Sequence, residues 1–266
     1  MKKFTKVLAG IVCVALSAVS VMAVGCGQKK ETITVSGSSS VTPLMQALAA
    51  EYEATHDNVQ ITINMSSSGT GISDTQKGLN DFGMSSRELK STETGVKGVT
   101  LCMDGIALIV NNDCTVDNVS KADAKALFES GTAIPDTTIT AGIGRDASSG
   151  TRSAFDELIG LESYATSVST LAETGNVIEA IQASKNSLGY ISFGSVSDKI
   201  KTVSLDGVAC TVANITAGTY TLSRPFVIVL KDGSTLSEAA QGFYDYIMGA
   251  TAQSVISSKG YISVNK

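Results

Sequence analysis

The residues best suited to chemistry are serines and glycines gathered in three runs. They are Ser36-Gly37-Ser38-Ser39-Ser40 ahead of Pro43, Ser66-Ser67-Ser68-Gly69-Thr70-Gly71 ahead of Ile72, and Ser148-Ser149-Gly150-Thr151 ahead of Arg152. Each opens onto a helix-like stretch. The first turn of a helix carries backbone N–H groups without intrahelical partners and the positive end of the peptide dipoles. Small residues let that backbone close on a ligand, and hydroxyls add donors around it. One such run is ordinarily a helix cap. Three in one chain point to a tetrahedral oxyanion held by converging helix ends.

Covalent catalysis fits these serines poorly. His56 is the only histidine, and it sits among Thr55, Asp57 and Asn58 in an expected solvated turn, which removes a Ser-His-Asp triad and a His-based metal site. No G-x-S-x-G occurs, and the sole S-x-x-K is Ser263 to Lys266 at the C-terminus. Cys102, Cys114 and Cys210 show no C-x-x-C spacing. A Cys102–Cys114 bridge is open in an oxidising compartment, and buried free thiols are the simpler expectation. No metal or cofactor is implied.

The elements around the runs alternate strand and helix. Residues 33–35 read as a strand entering the first run; Pro43 suits a first helical turn, and Leu44, Leu48 and Tyr52 recur at spacing four. Val59, Ile61, Ile63 and Met65 alternate as a strand into the second run, followed by a helix over 71–79. Residues 106–110 form a continuous apolar run, expected of a strand buried on both faces. Ser120, with Asp123 three residues on, caps a helix over 122–128. Residues 137–143 read as a strand into Gly144-Arg145-Asp146 and the third run, with a helix over 153–159 beyond it. Later come a helix over 176–184, strands over 189–193 and 226–230, and a helix over 236–248. The pattern is an α/β protein with largely parallel sheets. Each run lies after a strand and before a helix, where open α/β sheets bind ligands. Two runs precede residue 100 and one follows 140, so a site between two lobes is expected.

The charge balance speaks against a nucleic-acid partner. Net charge is −5, and removing the first 25 residues takes away Lys2, Lys3 and Lys6 and leaves −8. An anion must therefore be caught by local hydrogen bonds, not by overall field. Those three lysines precede an apolar run over 7–24 and then Gly25-Cys26-Gly27, which reads as a secretory signal. An uncleaved anchor stays open, because the run approaches the ~18–20 residues that span a bilayer. Cysteine after Ala23-Val24-Gly25 resembles a bacterial lipobox, which implies lipidation of Cys26 and attachment to the extracytoplasmic face of the membrane.

Four further motifs carry a wider resemblance. In order they are Ile33-Thr-Val-Ser-Gly-Ser-Ser-Ser-Val-Thr-Pro43, Asp81-Phe-Gly-Met-Ser-Ser-Arg-Glu-Leu89, Asp104-Gly-Ile-Ala-Leu-Ile-Val-Asn111 and Arg145-x-x-x-Ser149-Gly150-Thr151. Together they closely resemble the phosphate-binding lipoproteins of bacterial ABC-type phosphate importers. The likeness runs on through Gly189-Tyr-Ile-Ser192 and Leu222-Ser-Arg-Pro-Phe226.

The resemblance implies a two-lobed, periplasmic-binding-protein-like (type II) α/β fold, each lobe a mixed, largely parallel sheet flanked by helices. Residues 1–25 would be signal and 26–31 lipidated Cys and tether. Residues 32–109 with 225–266 would form one lobe and 110–224 the other, with crossings near Val110 and Arg224. It further implies a monomeric receptor, not an enzyme, that hands phosphate to membrane permease subunits. By position the phosphate contacts map to Ser39, Ser40, Val41, Ser68, Arg145, Ser149, Gly150 and Thr151.

One position departs from the pattern. Family members carry Asp where this chain has Ser86, and that Asp accepts the proton of hydrogen phosphate, which sulfate lacks. Asp104 either restores the acceptor from a neighbouring strand or is a structural cap or partner of Arg87. Arg87 and Arg152 are expected to pair with acids such as Asp146, and Arg224 to serve the hinge. Sulfate or molybdate is thus the rival ligand, and a surface adhesin or sensor on the same fold the rival class.

Overall fold

A computed structural model of the chain describes residues 30–264, so the signal segment and Cys26 lie outside the described residues. The first half alternates β1 (Glu31–Ser38), α1 (Thr42–Glu53), β2 (Val59–Ser66), α2 (Ser68–Lys77) and β3 (Phe82–Ser85). Then come β4 (Val96–Val110), β5 (Asn118–Val119), α3 (Lys121–Ser130), β6 (Ala141–Arg145), α4 (Gly150–Ile159), β7 (Ser169–Leu171) and α5 (Thr174–Ala183). The chain closes with β8 (Ser187–Ser192), β9 (Lys201–Leu205), α6 (Val212–Thr216), β10 (Ser223–Lys231), α7 (Glu238–Met248), α8 (Ala250–Ser258) and β11 (Ile262–Ser263).

Two sheets share one strand. In the first, β1 lies parallel between β2 and β3, and β10 runs antiparallel between β3 and β4. In the second, β6 lies parallel between β7 and β8, and β8 pairs antiparallel with β4. Both sheets are mixed. Within β4, residues 96–105 pair with β10, whereas Ile106 to Ile109 pair with β8.

The apolar cores divide at the same place. Ile33, Val35, Leu44, Leu48, Phe82, Phe226 and Phe243 belong to one core, and Ile106, Leu108, Phe128, Phe155, Tyr190 and Leu222 to the other. The first crossing therefore falls at Asp104–Gly105, ahead of the Val110 expected from sequence. The apolar run over 106–110 is wholly buried because it is the central strand of the second lobe. Each fully buried Leu or Phe contributes roughly 1.5–3 kcal/mol over an exposed one.

Some sequence expectations shift. The strand expected over 137–143 begins only at Ala141, because Thr137 is taken up in a turn. Its Oγ1 donates to the Ile134 carbonyl at 2.9 Å and accepts from the Ile139 N–H at 3.1 Å, an alternative to ladder pairing. Helix α8 has no side-chain cap and no expectation preceded it. His56 is not simply solvated: its ring stacks on Tyr52 at 3.8 Å, with Nδ1 2.9 Å from the Tyr52 carbonyl. Cys102, Cys114 and Cys210 are buried free thiols.

Candidate functional site: a hydroxyl chain between the lobes

Parallel strands put three serine segments at one edge. β1 ends at Ser38, β2 at Ser66 and β3 at Ser85, so Ser39, Ser68 and Ser86 emerge side by side. Gly37 makes the turn possible: its φ is 134°, and a Cβ there would overlap the Met84 carbonyl. In the other lobe β6 ends at Arg145 and its parallel neighbour β7 at Leu171, just before Thr174.

The two edges meet in an unbroken chain of six buried hydroxyls. Ser39 Oγ lies 3.3 Å from Thr174 Oγ1, which lies 3.1 Å from Ser40 Oγ. Ser40 Oγ lies 2.9 Å from Thr151 Oγ1, Thr151 is 3.4 Å from Ser86 Oγ, and Ser86 is 3.3 Å from Ser68 Oγ. The chain crosses between the lobes four times. A hydroxyl both donates and accepts, so its members can turn toward whatever polar atom they meet.

Arg145 clamps one end. Nη1 donates to Thr174 Oγ1 and Nη2 to Ser39 Oγ, each at 3.1 Å. Nη2 also donates to the Ala172 carbonyl at 2.5 Å and Nε to the Leu171 carbonyl at 3.2 Å. The side chain is 2% exposed, yet among the described residues no carboxylate forms an ion pair with it. Burial pulls its pKa down, against the field of Tyr190 and, more weakly, of Glu173 and Asp146. A desolvated cation held by neutral dipoles is a site for an anion.

Neighbouring residues set this geometry. Asp146 Oδ1 accepts the N–H groups of Ser148 and Ser149, shaping the turn into α4. Arg152 pairs with Asp156 one helical turn on, not with Asp146; it donates to the Arg145 carbonyl at 3.1 Å and lies over the Tyr164 ring. Tyr190 Oη accepts the Arg145 N–H at 3.2 Å from beneath. The lobes also touch by backbone, the Gly69 N–H donating to the Ser148 carbonyl at 3.1 Å.

Of the residues expected from sequence, Ser39, Ser40, Ser68, Ser86, Arg145 and Thr151 come together. Gly150 abuts Ser68, and a Cβ on it would overlap Ser68 Oγ. The Ser149 hydroxyl caps α4, accepting from the Arg152 N–H. Val41 is not brought into the chain: its N–H donates to the Ser38 carbonyl at 3.0 Å and its side chain is in the first core. Asp104 is not in the chain either, and its partner is Arg224, not Arg87. Arg87 instead pairs with Glu93. Thr174 is the residue that sequence reading missed. Its signal was Thr174-Gly175 following a strand-like Ser169-Thr170-Leu171, a short version of the other three runs.

A family model described as a PBP superfamily domain matches residues 25–251. A Clostridium perfringens protein, described as a phosphate ABC transporter substrate-binding protein and solved with bound phosphate, superposes with a TM-score of 0.83 at 32% identity, covering 88% of this chain and 100% of that one. This chain belongs to the PBP superfamily. Its likeness to the substrate-binding proteins of phosphate ABC transporters extends to a Vibrio cholerae ABC-type phosphate transport receptor, with a TM-score of 0.71 and 30% identity over 86% of this chain and 99% of that one. The phosphate-binding protein PstS 2 of Streptococcus agalactiae is 35% identical over 46% of this chain, a match that spans 45% of that relative's length. In this superfamily member the hydroxyl chain occupies the seam between two lobes, and among the described residues Arg145 is the one cation hydrogen-bonded to its hydroxyls.

Proposed function

We propose that this protein is a receptor that captures inorganic phosphate between its lobes and delivers it to an ABC importer. The observation that carries the reading is Arg145, buried with no carboxylate partner among the described residues, at the end of six hydroxyls drawn from both lobes. Such a site binds an oxyanion through many short hydrogen bonds and one charge, and it desolvates the ligand when the lobes close. Nothing in it requires a nucleophile or a general base. The relatives named for phosphate binding and transport support phosphate as the ligand.

The N-terminal segment supports export and lipid attachment at Cys26, which would hold the receptor at the outer face of the membrane beside its permease. Among the described residues no helix is long and apolar enough to cross a membrane. A second reading, sulfate or molybdate, has one observation in its favour. The hydroxyl chain contains no carboxylate, so it accepts a fully deprotonated oxyanion without unpaired repulsion.

The test is calorimetric titration of residues 28–266, freed of ligand by unfolding and refolding, with phosphate, sulfate and molybdate. Micromolar or tighter binding of phosphate alone is expected. Preference for another oxyanion would overturn the substrate, and binding of none would overturn the receptor.

A further inference from the structure

We infer that Thr174, at the N-terminus of α5, is a further oxyanion-contact residue, so that the site is built from four segments, not three. The inference rests on the reading of this chain as a phosphate receptor. Thr174 joins three other residues of the site: its Oγ1 lies within 3.3 Å of Ser39 Oγ, Ser40 Oγ and Arg145 Nη1. Its backbone N–H points the same way, toward Ser39 Oγ at 3.3 Å. Thr174 is 5% exposed, so none of these groups is drawn there by solvent.

Two independent features argue that this convergence serves a ligand and not the helix. The residue before it, Glu173, stands at the N-cap of α5 yet makes no side-chain cap hydrogen bond. The hydroxyl that follows is turned away from the helix and across the seam, to the opposite lobe. And Arg145, a buried cation with no counter-ion among the described residues, aims Nη1 at Thr174 as squarely as it aims Nη2 at Ser39. An anion drawn to that guanidinium meets Ser39 and Thr174 together. Ser39 belongs to one lobe and Thr174 to the other, so an oxyanion taken up between them exchanges the direct Ser39–Thr174 contact for one bond to each. The α5 dipole adds its positive end at the same point.

Thr174→Val keeps the shape and removes the hydroxyl, Thr174→Ala removes it with less bulk, and Thr174→Ser restores it. The three variants are titrated with inorganic phosphate beside the wild type, with thermal unfolding in the absence of ligand as the control for folding. Expected is a loss of about tenfold or more in phosphate affinity for both hydroxyl-free variants, the scale of one hydrogen bond to a charged group, and recovery to within about threefold for Thr174→Ser. Wild-type affinity in either folded hydroxyl-free variant overturns the contact while leaving the receptor intact. Failure of the wild type itself to bind phosphate overturns both.

Discussion

Asp104 and Arg224 face each other on the two strands that join the lobes, with Arg224 Nη2 donating to Asp104 Oδ2 at 3.1 Å. Both are buried, and Arg224 Nη1 donates at 3.0 Å to the Ser86 carbonyl. The guanidinium thus stands between the Asp104 carboxylate and the hydroxyl chain. Burial pushes the Asp104 pKa up, against the opposing pull of Arg224 and hydrogen bonds from Ser192 and Gly194. In this position Asp104 neutralises Arg224, which in turn holds the Ser86 carbonyl. Asp104→Asn should therefore destabilise the protein by about 3 kcal/mol, the scale of an uncompensated buried charge. The ratio of phosphate to sulfate affinity should stay at the wild-type value. Collapse of that ratio in titrations of the variant would return the acceptor role to Asp104.

Gly150 and Ser68 abut across the seam. A Cβ at Gly150 would overlap Ser68 Oγ and come within 2.9 Å of Ser86 Oγ. Gly150→Ala should thus oppose closure at the cost of an overpacked contact, about 1–3 kcal/mol. Because separation of the lobes relieves the clash, the loss should appear in phosphate affinity and leave the ligand-free melting temperature unchanged. Equal affinity in variant and wild type would show that the seam yields there.

Arg145 offers a sharper contrast between two replacements, one that removes the charge and one that keeps it. Its fork serves Ser39, Thr174 and the Leu171 and Ala172 carbonyls at once. A lysine keeps the charge and cannot reproduce that geometry. Arg145→Ala should cost roughly 2–5 kcal/mol of phosphate binding, and Arg145→Lys should recover only part of it. A loss below tenfold for the alanine variant in calorimetry would remove Arg145 from the site.

Much of this site was legible because its parts are local. A serine run between a strand and a helix carries its own signature, and parallel strands necessarily deliver such runs to one edge. Long-range pairing was not legible. Nothing near Asp104 in sequence announces Arg224, its register partner across the β4–β10 ladder. The first crossing was set too late because 106–110 reads as buried in either lobe, and only the change of partner from β10 to β8 decides which. Thr174 was hidden for a different reason. A single Thr-Gly is too common to signal anything until Arg145 points at it.

Arg87 and Glu93 form the other strong ion pair beside the lobe seam, and it predicts a pH dependence. Arg87 donates to Glu93 through Nη1 at 2.8 Å and Nη2 at 2.6 Å, and the Lys90 N–H adds a third bond at 2.8 Å. Burial alone would raise the Glu93 pKa, but these bonds and the charge of Arg87 outweigh it and hold the carboxyl below its ordinary value. A lowered folded-state pKa stabilises above the unfolded value and loses that contribution as pH falls through the folded one. Glu93→Gln should therefore cost about 1–3 kcal/mol at neutral pH. The difference should shrink as the pH falls through the lowered folded-state value, where wild-type Glu93 takes up its proton. Thermal unfolding of both proteins at neutral pH and near pH 3 decides it. A gap that stays constant across that range would mean that Glu93 acts through packing, and the bidentate pair would then contribute nothing to stability.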